Sequence, residues 1–293
     1  MDQQTTFIIY IKIKRKKTRK MNQYTNNLKN VKDIKPLVHH ITNYVSVNDC
    51  ANITLSIGAS PLMADDIKEV AQIVSISSVL VLNIGTLNQR TILAMIKAGE
   101  RANQLDIPVV LDPVGVGASE LRDEAISRIL NRVKITVLRG NISEISFIAG
   151  LNSKTKGVDA SEQDIKRNDN KVEIARNLAK KLDCIVAITG EIDVISNSEK
   201  SIEIHNGVEQ LAKVTGTGCM LTSLIAACLA ANKDDYLSAC ATAISVMGIA
   251  GEISLERNID AGLGSFHIGI IDAVSKIDEV IFNEKCKINE IKH

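Results

Sequence analysis

The sequence predicts an α/β fold with a mostly parallel central sheet, and three observations carry that reading. After residue 33, short β-rich runs alternate with longer helical ones, the pattern of βα units around a parallel sheet. The short runs end in Gly85-Thr86, Asp112-Pro113-Val114-Gly115, Arg139-Gly140-Asn141 and Thr189-Gly190, so chemistry-bearing residues collect where each strand would stop. At 293 residues and 45% hydrophobic, the chain is long and apolar enough to bury a full core.

In chain order, strands are expected at residues 79–84, 108–111, 135–138 and 184–188, each rich in Val, Ile or Leu. Helices are expected at 45–57, 66–75, 88–104, 121–132, 141–149, 171–182, 217–231, 234–256 and 263–282. Between 192 and 205, two β-rich runs flank Asn197-Ser198-Glu199-Lys200, which predicts an antiparallel hairpin at the sheet edge. Residues 152–170 are polar and read as a surface loop entering a helix. Residues 1–32 differ from the rest: a short apolar run at 7–11 precedes a basic cluster, the reverse of an export signal. They are expected to be a disordered or non-native extension, with residues 33–293 forming a single domain.

Charge and composition exclude several functions. The net charge is +1, but seven Lys/Arg fall in residues 1–20, leaving 28 basic against 33 acidic residues in the remainder and no basic face for nucleic acid. Aromatics are 3% with no Trp, so base-stacking platforms are scarce. Lys233, Asp234 and Asp235 interrupt the longest apolar region, and no membrane span is expected. The six cysteines show no Cys-x-x-Cys spacing and several lie in apolar runs, which points to reduced thiols and a cytoplasmic protein. Neither a P-loop nor a Gly-x-Gly-x-x-Gly opening a first βα unit is present.

The most informative segment is Thr215-Gly216-Thr217-Gly218-Cys219, which opens a long apolar helix. Free amides and the positive end of the helix dipole meet there, so Gly216, Thr217, Gly218 and Cys219 form a candidate anion hole. Cys219, at a helix N-terminus, is expected to have a lowered thiol pKa, as a base, a nucleophile or an oriented donor; the plainer alternative is a small packing residue. Asp112 follows an apolar run and precedes Pro113; it is either a turn residue or a carboxylate for Mg²⁺. Asn141 and Glu144 have the spacing of a reciprocal helix cap, and Glu144 also faces the proposed site as an acid for the hydration shell of a metal. Arg139 offers its donor fork either to nucleotide phosphates or to a surface ion pair. His39 and His40 are adjacent in an extended segment, so they point to opposite faces and cannot grip one ion together.

Taken together, these segments resemble the hydroxyethylthiazole kinases of the ribokinase-like superfamily. The matching blocks are Asn43-Tyr44-Val45 with Asn48-Asp49 and Ala51-Asn52, Gly58-Ala59-Ser60-Pro61-Leu62-Met63, Asn83-Ile84-Gly85-Thr86, Asp112-Pro113-Val114-Gly115, Arg139-Gly140-Asn141 with Glu144, Thr189-Gly190, and Thr215 to Cys219; they span residues 34–283. The resemblance implies a three-layer α/β/α ribokinase-like domain that transfers the ATP γ-phosphate, with Mg²⁺, to the hydroxyl of 4-methyl-5-(2-hydroxyethyl)thiazole in thiamine salvage. It also implies a homotrimer with sites between subunits. By position, Met63 and Gly216 would contact the thiazole, Asn43 would line its pocket, Arg139 and Thr189 would contact ATP, and Asp112 and Glu144 would be the metal-associated acids. Cys219 stands where related sugar kinases usually carry a catalytic Asp. The chain departs from the family pattern at Leu263, between Gly262 and Gly264, where proline is common. Kinases for the hydroxymethylpyrimidine half of thiamine, dehydratases of hydrated nicotinamide cofactors, and a non-catalytic nucleotide sensor are the competing readings.

Overall fold

A computed structural model describes residues 23–150 and 171–291. Its elements, in chain order, are α1 (23–34), β1 (Leu37–Ile41), α2 (Val47–Ile57), β2 (Ser60–Met63), α3 (Val70–Ser75), β3 (Val79–Asn83), α4 (Gln89–Gln104), β4 (Val109–Asp112), α5 (Glu120–Arg132), β5 (Val137–Asn141) and α6 (Ile142–Ala149). After residue 170 come α7 (Lys171–Leu182), β6 (Ile185–Thr189), β7 (Asp193–Ser196), β8 (Ser201–Ile204), a 3₁₀ turn (Glu209–Lys213), α8 (Thr217–Ala231), α9 (Tyr236–Arg257), α10 (Leu263–Lys276), α11 (Glu279–Lys285) and β9 (Ile288–Ile291).

The strands form one sheet in the order β2-β1-β3-β4-β5-β6-β7-β8-β9. Pairing is parallel from β2 through β6 and antiparallel from β6 to β9. Alternation along the parallel strands sorts the core onto two sides. Val79 and Val81 of β3 pack with α1, α2 and α8–α11, whereas Leu80 and Leu82 pack with α3–α7. Helices therefore cover both faces, and the carboxyl ends of β1 and β3–β6 share one edge. Because β1 lies between β2 and β3, the order reverses beside β1, where the crevice of an open α/β sheet forms.

Several expectations are corrected. The extension drawn to residue 32 is wrong for 23–32: α1 buries Tyr24, Leu28 and Val31, and Asn27 Nδ2 donates to Ser238 Oγ at 3.0 Å. Residues 1–22 and the polar segment 152–170 lie outside the described residues. β1, β2 and β9 are further strands, and β9 covers the hairpin β7–β8, which is therefore not the edge. The hairpin itself forms with Asn197 in its turn, where Asn197 Oδ1 accepts the Lys200 N–H at 2.7 Å. The expected helix 263–282 is two helices, since Asp278 Oδ1 accepts the Ile281 N–H at 2.9 Å and starts α11 anew. Leu263 sits at the first position of α10, where proline would be favoured, and the helix starts there regardless, with Phe266 N–H on the Gly262 carbonyl at 3.2 Å. Among the described residues α9 alone has the length and apolarity to cross a bilayer, and 94% of that stretch is buried against its neighbours, the surroundings of a core helix.

Truncating α1's inward face tests its place in the core. Leu28→Ala is expected to cost about 2–4 kcal/mol of unfolding free energy, read from urea denaturation.

Candidate active site

The site assembles at the shared strand edge because four strands deliver polar residues there and α8 closes over them. Asp112, the last residue of β4, is fully buried. Its Oδ2 accepts from Asn83 Nδ2 of β3 at 3.0 Å and from Thr222 Oγ1 of α8 at 2.8 Å, and lies 3.5 Å from Arg139 Nη1 of β5. Its Oδ1 is buried without a partner. Burial pushes the Asp112 carboxyl above the usual carboxylate range, and Arg139, Thr222 and Asn83 oppose that rise.

Both readings of Asn141 and Glu144 draw on one geometry. Asn141 Oδ1 accepts the Glu144 N–H and Glu144 Oε2 accepts the Asn141 N–H, each at 2.9 Å, which is a reciprocal cap on α6. Glu144 Oε1 also accepts the Gly115 N–H at 2.8 Å, tying the loop after β4 to the end of β5. Burial and then the nearby Asp112 charge raise the Glu144 carboxyl, so the two acids share one electrostatic environment.

Arg139 is nearly buried, with its side chain 11% exposed, and is no surface ion pair. Its Nη2 donates to Thr189 Oγ1 at 2.8 Å, joining the ends of β5 and β6. The guanidinium lies flat against Gly218, where an added Cβ would come within 2.7 Å of Nη1. Glycine is therefore required at 218 for the arginine to reach α8. Gly216 adopts φ +86° as the N-cap, and its α-carbon faces Ser46 and Asp49 of the α2 entry. The first bond of α8 runs from Met220 N–H to the Gly216 carbonyl at 2.8 Å, leaving the amides of Thr217, Gly218 and Cys219 directed out of the helix end. The Thr217 hydroxyl turns away, donating to the Leu211 carbonyl at 2.9 Å.

Cys219 sits between two amides: Asn43 Nδ2 donates to its sulfur at 3.3 Å and Asn83 Nδ2 at 3.2 Å. The expected lowering of its pKa is overturned. Burial first, and the Asp112 charge second, raise the thiol against the hydrogen bonds of Ser46, Asn43 and Asn83. Cys219 is thus a neutral, oriented thiol rather than a resting thiolate. Asn43 is buried; its Oδ1 accepts the N–H groups of Val45 and Ser46 at 3.1 Å each, and that local turn delays α2 to Val47. An added Cβ on Gly85 would meet Asn43 at 2.9 Å, so the loops after β1 and β3 touch beside the reversal in strand order. Met63 ends β2, paired with His40, and is half-buried at the outer margin. Asn43, Cys219, Asn83, Asp112, Arg139 and Thr189 thus form one contact chain that Gly218 borders, whereas Met63 lies on the neighbouring strand β2 and Gly216 packs against Ser46 and Asp49 at the α2 entry.

Asn83 and Thr222 were missed by sequence reasoning although both hold Asp112. Their signals were a polar residue ending the otherwise apolar run Val-Leu-Val-Leu-Asn and a hydroxyl one turn into an apolar helix. The two histidines diverge as expected, His39 Nε2 to the Ala64 carbonyl at 2.8 Å and His40 Nε2 to Ser223 Oγ at 3.0 Å. Burial drives His40 down to about 3, so it is neutral. Among the described residues no three His, Cys, Asp or Glu side chains gather into a metal cage.

Residues 28–280 match the sequence model of the Hydroxyethylthiazole kinase family. The chain belongs to that family. A hydroxyethylthiazole kinase of Ruminiclostridium cellulolyticum is 57% identical over 269 residues, covering 92% of this chain and 98% of the relative. The solved structure of a hydroxyethylthiazole kinase protein from Pyrococcus horikoshii superposes with a TM-score of 0.83 at 35% identity, over 92% of this chain and 99% of that one. A ribokinase-like superfamily protein from Enterococcus faecalis, 14% identical with a TM-score of 0.59 over 83% of this chain and 87% of its own, shares the fold.

A raised Cys219 thiol reacts slowly. Alkylation of Cys219 by iodoacetamide at neutral pH, followed by peptide mass spectrometry, is expected to be slower than that of a free thiol, and Asp112→Asn is expected to speed it by removing the facing charge.

Proposed function

We propose that this chain transfers the γ-phosphate of ATP to the side-chain hydroxyl of 4-methyl-5-(2-hydroxyethyl)thiazole, a salvage step toward thiamine. The observation that carries this reading is the alignment of Asp112, Arg139 and the outward amides of α8 at one sheet edge, in a member of the hydroxyethylthiazole kinase family. In the reaction the hydroxyl oxygen forms a bond to the γ-phosphorus, the bond from that phosphorus to the β,γ-bridging oxygen breaks, the hydroxyl proton is released to water late in the transfer, and ADP leaves.

Each side chain has a part in that exchange. Arg139 and Thr189 hold ATP, the guanidinium offering its fork to phosphate oxygens. The amides of Thr217, Gly218 and Cys219, capped by Gly216, neutralise charge on the migrating group. Met63 and Gly216 contact the thiazole and Asn43 shapes its pocket. Because phosphoryl transfer passes through a loose transition state, positioning and charge neutralisation outweigh early removal of the hydroxyl proton. A neutral Cys219 held by Asn43 and Asn83 therefore serves as an orienting contact for the acceptor.

The residues fit Mg²⁺. The orphaned Oδ1 of Asp112 and the raised, mutually repelling carboxyls of Asp112 and Glu144 make a place where a cation would be welcome, and Mg²⁺ is usually held by one or two carboxylates with phosphate oxygens and water. Asp112 would hold it directly and Glu144 through its hydration shell, and when bound it would neutralise phosphate charge. The reading brings with it a three-layer α/β/α domain, a cytoplasmic setting that suits six free thiols, and a homotrimer with sites between subunits. Exposed Tyr44 and Val45 after β1, and the half-buried edge strand β2 that carries Met63, support that assembly.

Purified protein given MgATP is expected to release ADP in proportion to added thiazole alcohol. Equal ADP release without it, or stimulation only by a pyrimidine alcohol, would overturn the reading. Cys219→Ala is expected to slow turnover by no more than about tenfold while Cys219→Asp preserves or raises it, whereas Arg139→Met is expected to lose on the order of 10²-fold in kcat/KM for ATP. Complete loss in both Cys219 variants would indicate an essential thiol.

A further inference from the structure

Beyond the residues assigned to the nucleotide, a second acid–base pair lies behind them. The turn from β6 to β7, Thr189-Gly190-Glu191-Ile192-Asp193, carries Thr189, the partner of Arg139. Asp193 is buried, at 9% exposure, and its Oδ1 accepts the Gly190 N–H at 2.9 Å. Lys171, at the start of α7, is 4% exposed, and its Nζ donates to the Ile192 carbonyl at 3.1 Å. Both ends of the turn are therefore held by buried, charged side chains.

Gly190 lets this happen. A Cβ there would come within 2.7 Å of Lys171 Nζ, so a side chain at 190 would push the ammonium off its present position across the turn. Two neutral residues would brace a surface turn at far lower desolvation cost, and placing two charges here needs a use for the charge. Arg139 supplies one. Its positive charge and that of Lys171 both act on Asp193, and the Cys240 thiol of α9 faces the same carboxyl. Arg139 contacts Asp112 directly and reaches the Asp193 turn through Thr189.

We propose that Asp193 and Lys171 are positioning residues for the nucleotide: they fix the Thr189–Gly190 turn and, through the Thr189 hydroxyl that accepts from Arg139, hold the guanidinium where it meets ATP phosphates. Neither touches substrate. The inference rests on the assignment of Arg139 and Thr189 to ATP. Burial raises the Asp193 carboxyl to about 7 against the pull of Gly190, Arg139 and Lys171. It is therefore charged above that pH and neutral below it, and its hold on the Gly190 N–H weakens on acidification.

The test compares wild type with Asp193→Asn, which keeps an oxygen for the Gly190 N–H and removes only the charge, and with Lys171→Met. Each is expected to raise KM for ATP about tenfold while kcat and KM for the thiazole alcohol change less than about threefold, the split of a group that acts on one substrate's binding. The double variant is expected to fall short of the product of the two single effects, because the pair acts as a unit. Wild type is also expected to show a rise in KM for ATP below pH 7 that is missing in Asp193→Asn. Unchanged KM for ATP in both variants overturns the proposal, as does a loss that lowers kcat and both KM terms in step with thermal stability. Wild-type protein that consumes no ATP with the thiazole alcohol would sink the functional reading itself, which sets that failure apart.

Discussion

A carboxylate with no solvent contact at the end of β4 organises the rest of the molecule. Burying Asp112 would cost several kcal/mol if it were left alone, and the structure answers by bringing a donor from each neighbouring element. Asn83 comes from β3, Arg139 from β5 and Thr222 from α8. The Thr222 contact gives the helix a direction on the sheet that apolar packing alone does not, and the other two lock neighbouring strand ends together. The amides at the start of α8 reach the strand edge as a result.

Close approach is the second constraint, and it explains the glycines better than turn geometry alone. Gly218 gives room to the Arg139 guanidinium, Gly85 to Asn43 and Gly190 to Lys171, whereas Gly115 and Gly216 also need the left-handed backbone region. A methyl group at any of the first three would displace a polar side chain that is itself part of the network. The glycines and the polar residues are therefore one arrangement, read from two sides.

Much of this was legible beforehand. The four interior strands are continuous runs of Val, Ile and Leu, and the residues that follow them stand out by type, so both the parallel sheet and its working edge could be drawn from sequence. β1 was harder, because two histidines in five residues look polar until Ala64 and Ser223 are seen to satisfy them. β2 has only four residues with a proline among them. In α1, Tyr24, Leu28 and Val31 have helical spacing, but the surrounding Asn and Lys residues masked it. The thiol of Cys219 was misjudged for a different reason: the helix end is visible in sequence, whereas its depth and the facing Asp112 arise only when distant segments meet.

The two faces of the sheet are also unequal in how the chain supplies them. The side packed by α3–α7 draws on residues between Ile41 and Val194, a contiguous span. The other side joins α1 to α8–α11, and the Tyr24 hydroxyl reaches Glu290 at 3.3 Å, nearly the whole length of the chain away. On a ribosome the first layer can condense while synthesis continues, but the second waits for the last helices to emerge. Until then α1 and the inner surface of β1 stay uncovered, and the nascent chain depends on reaching its end before those apolar surfaces find another partner.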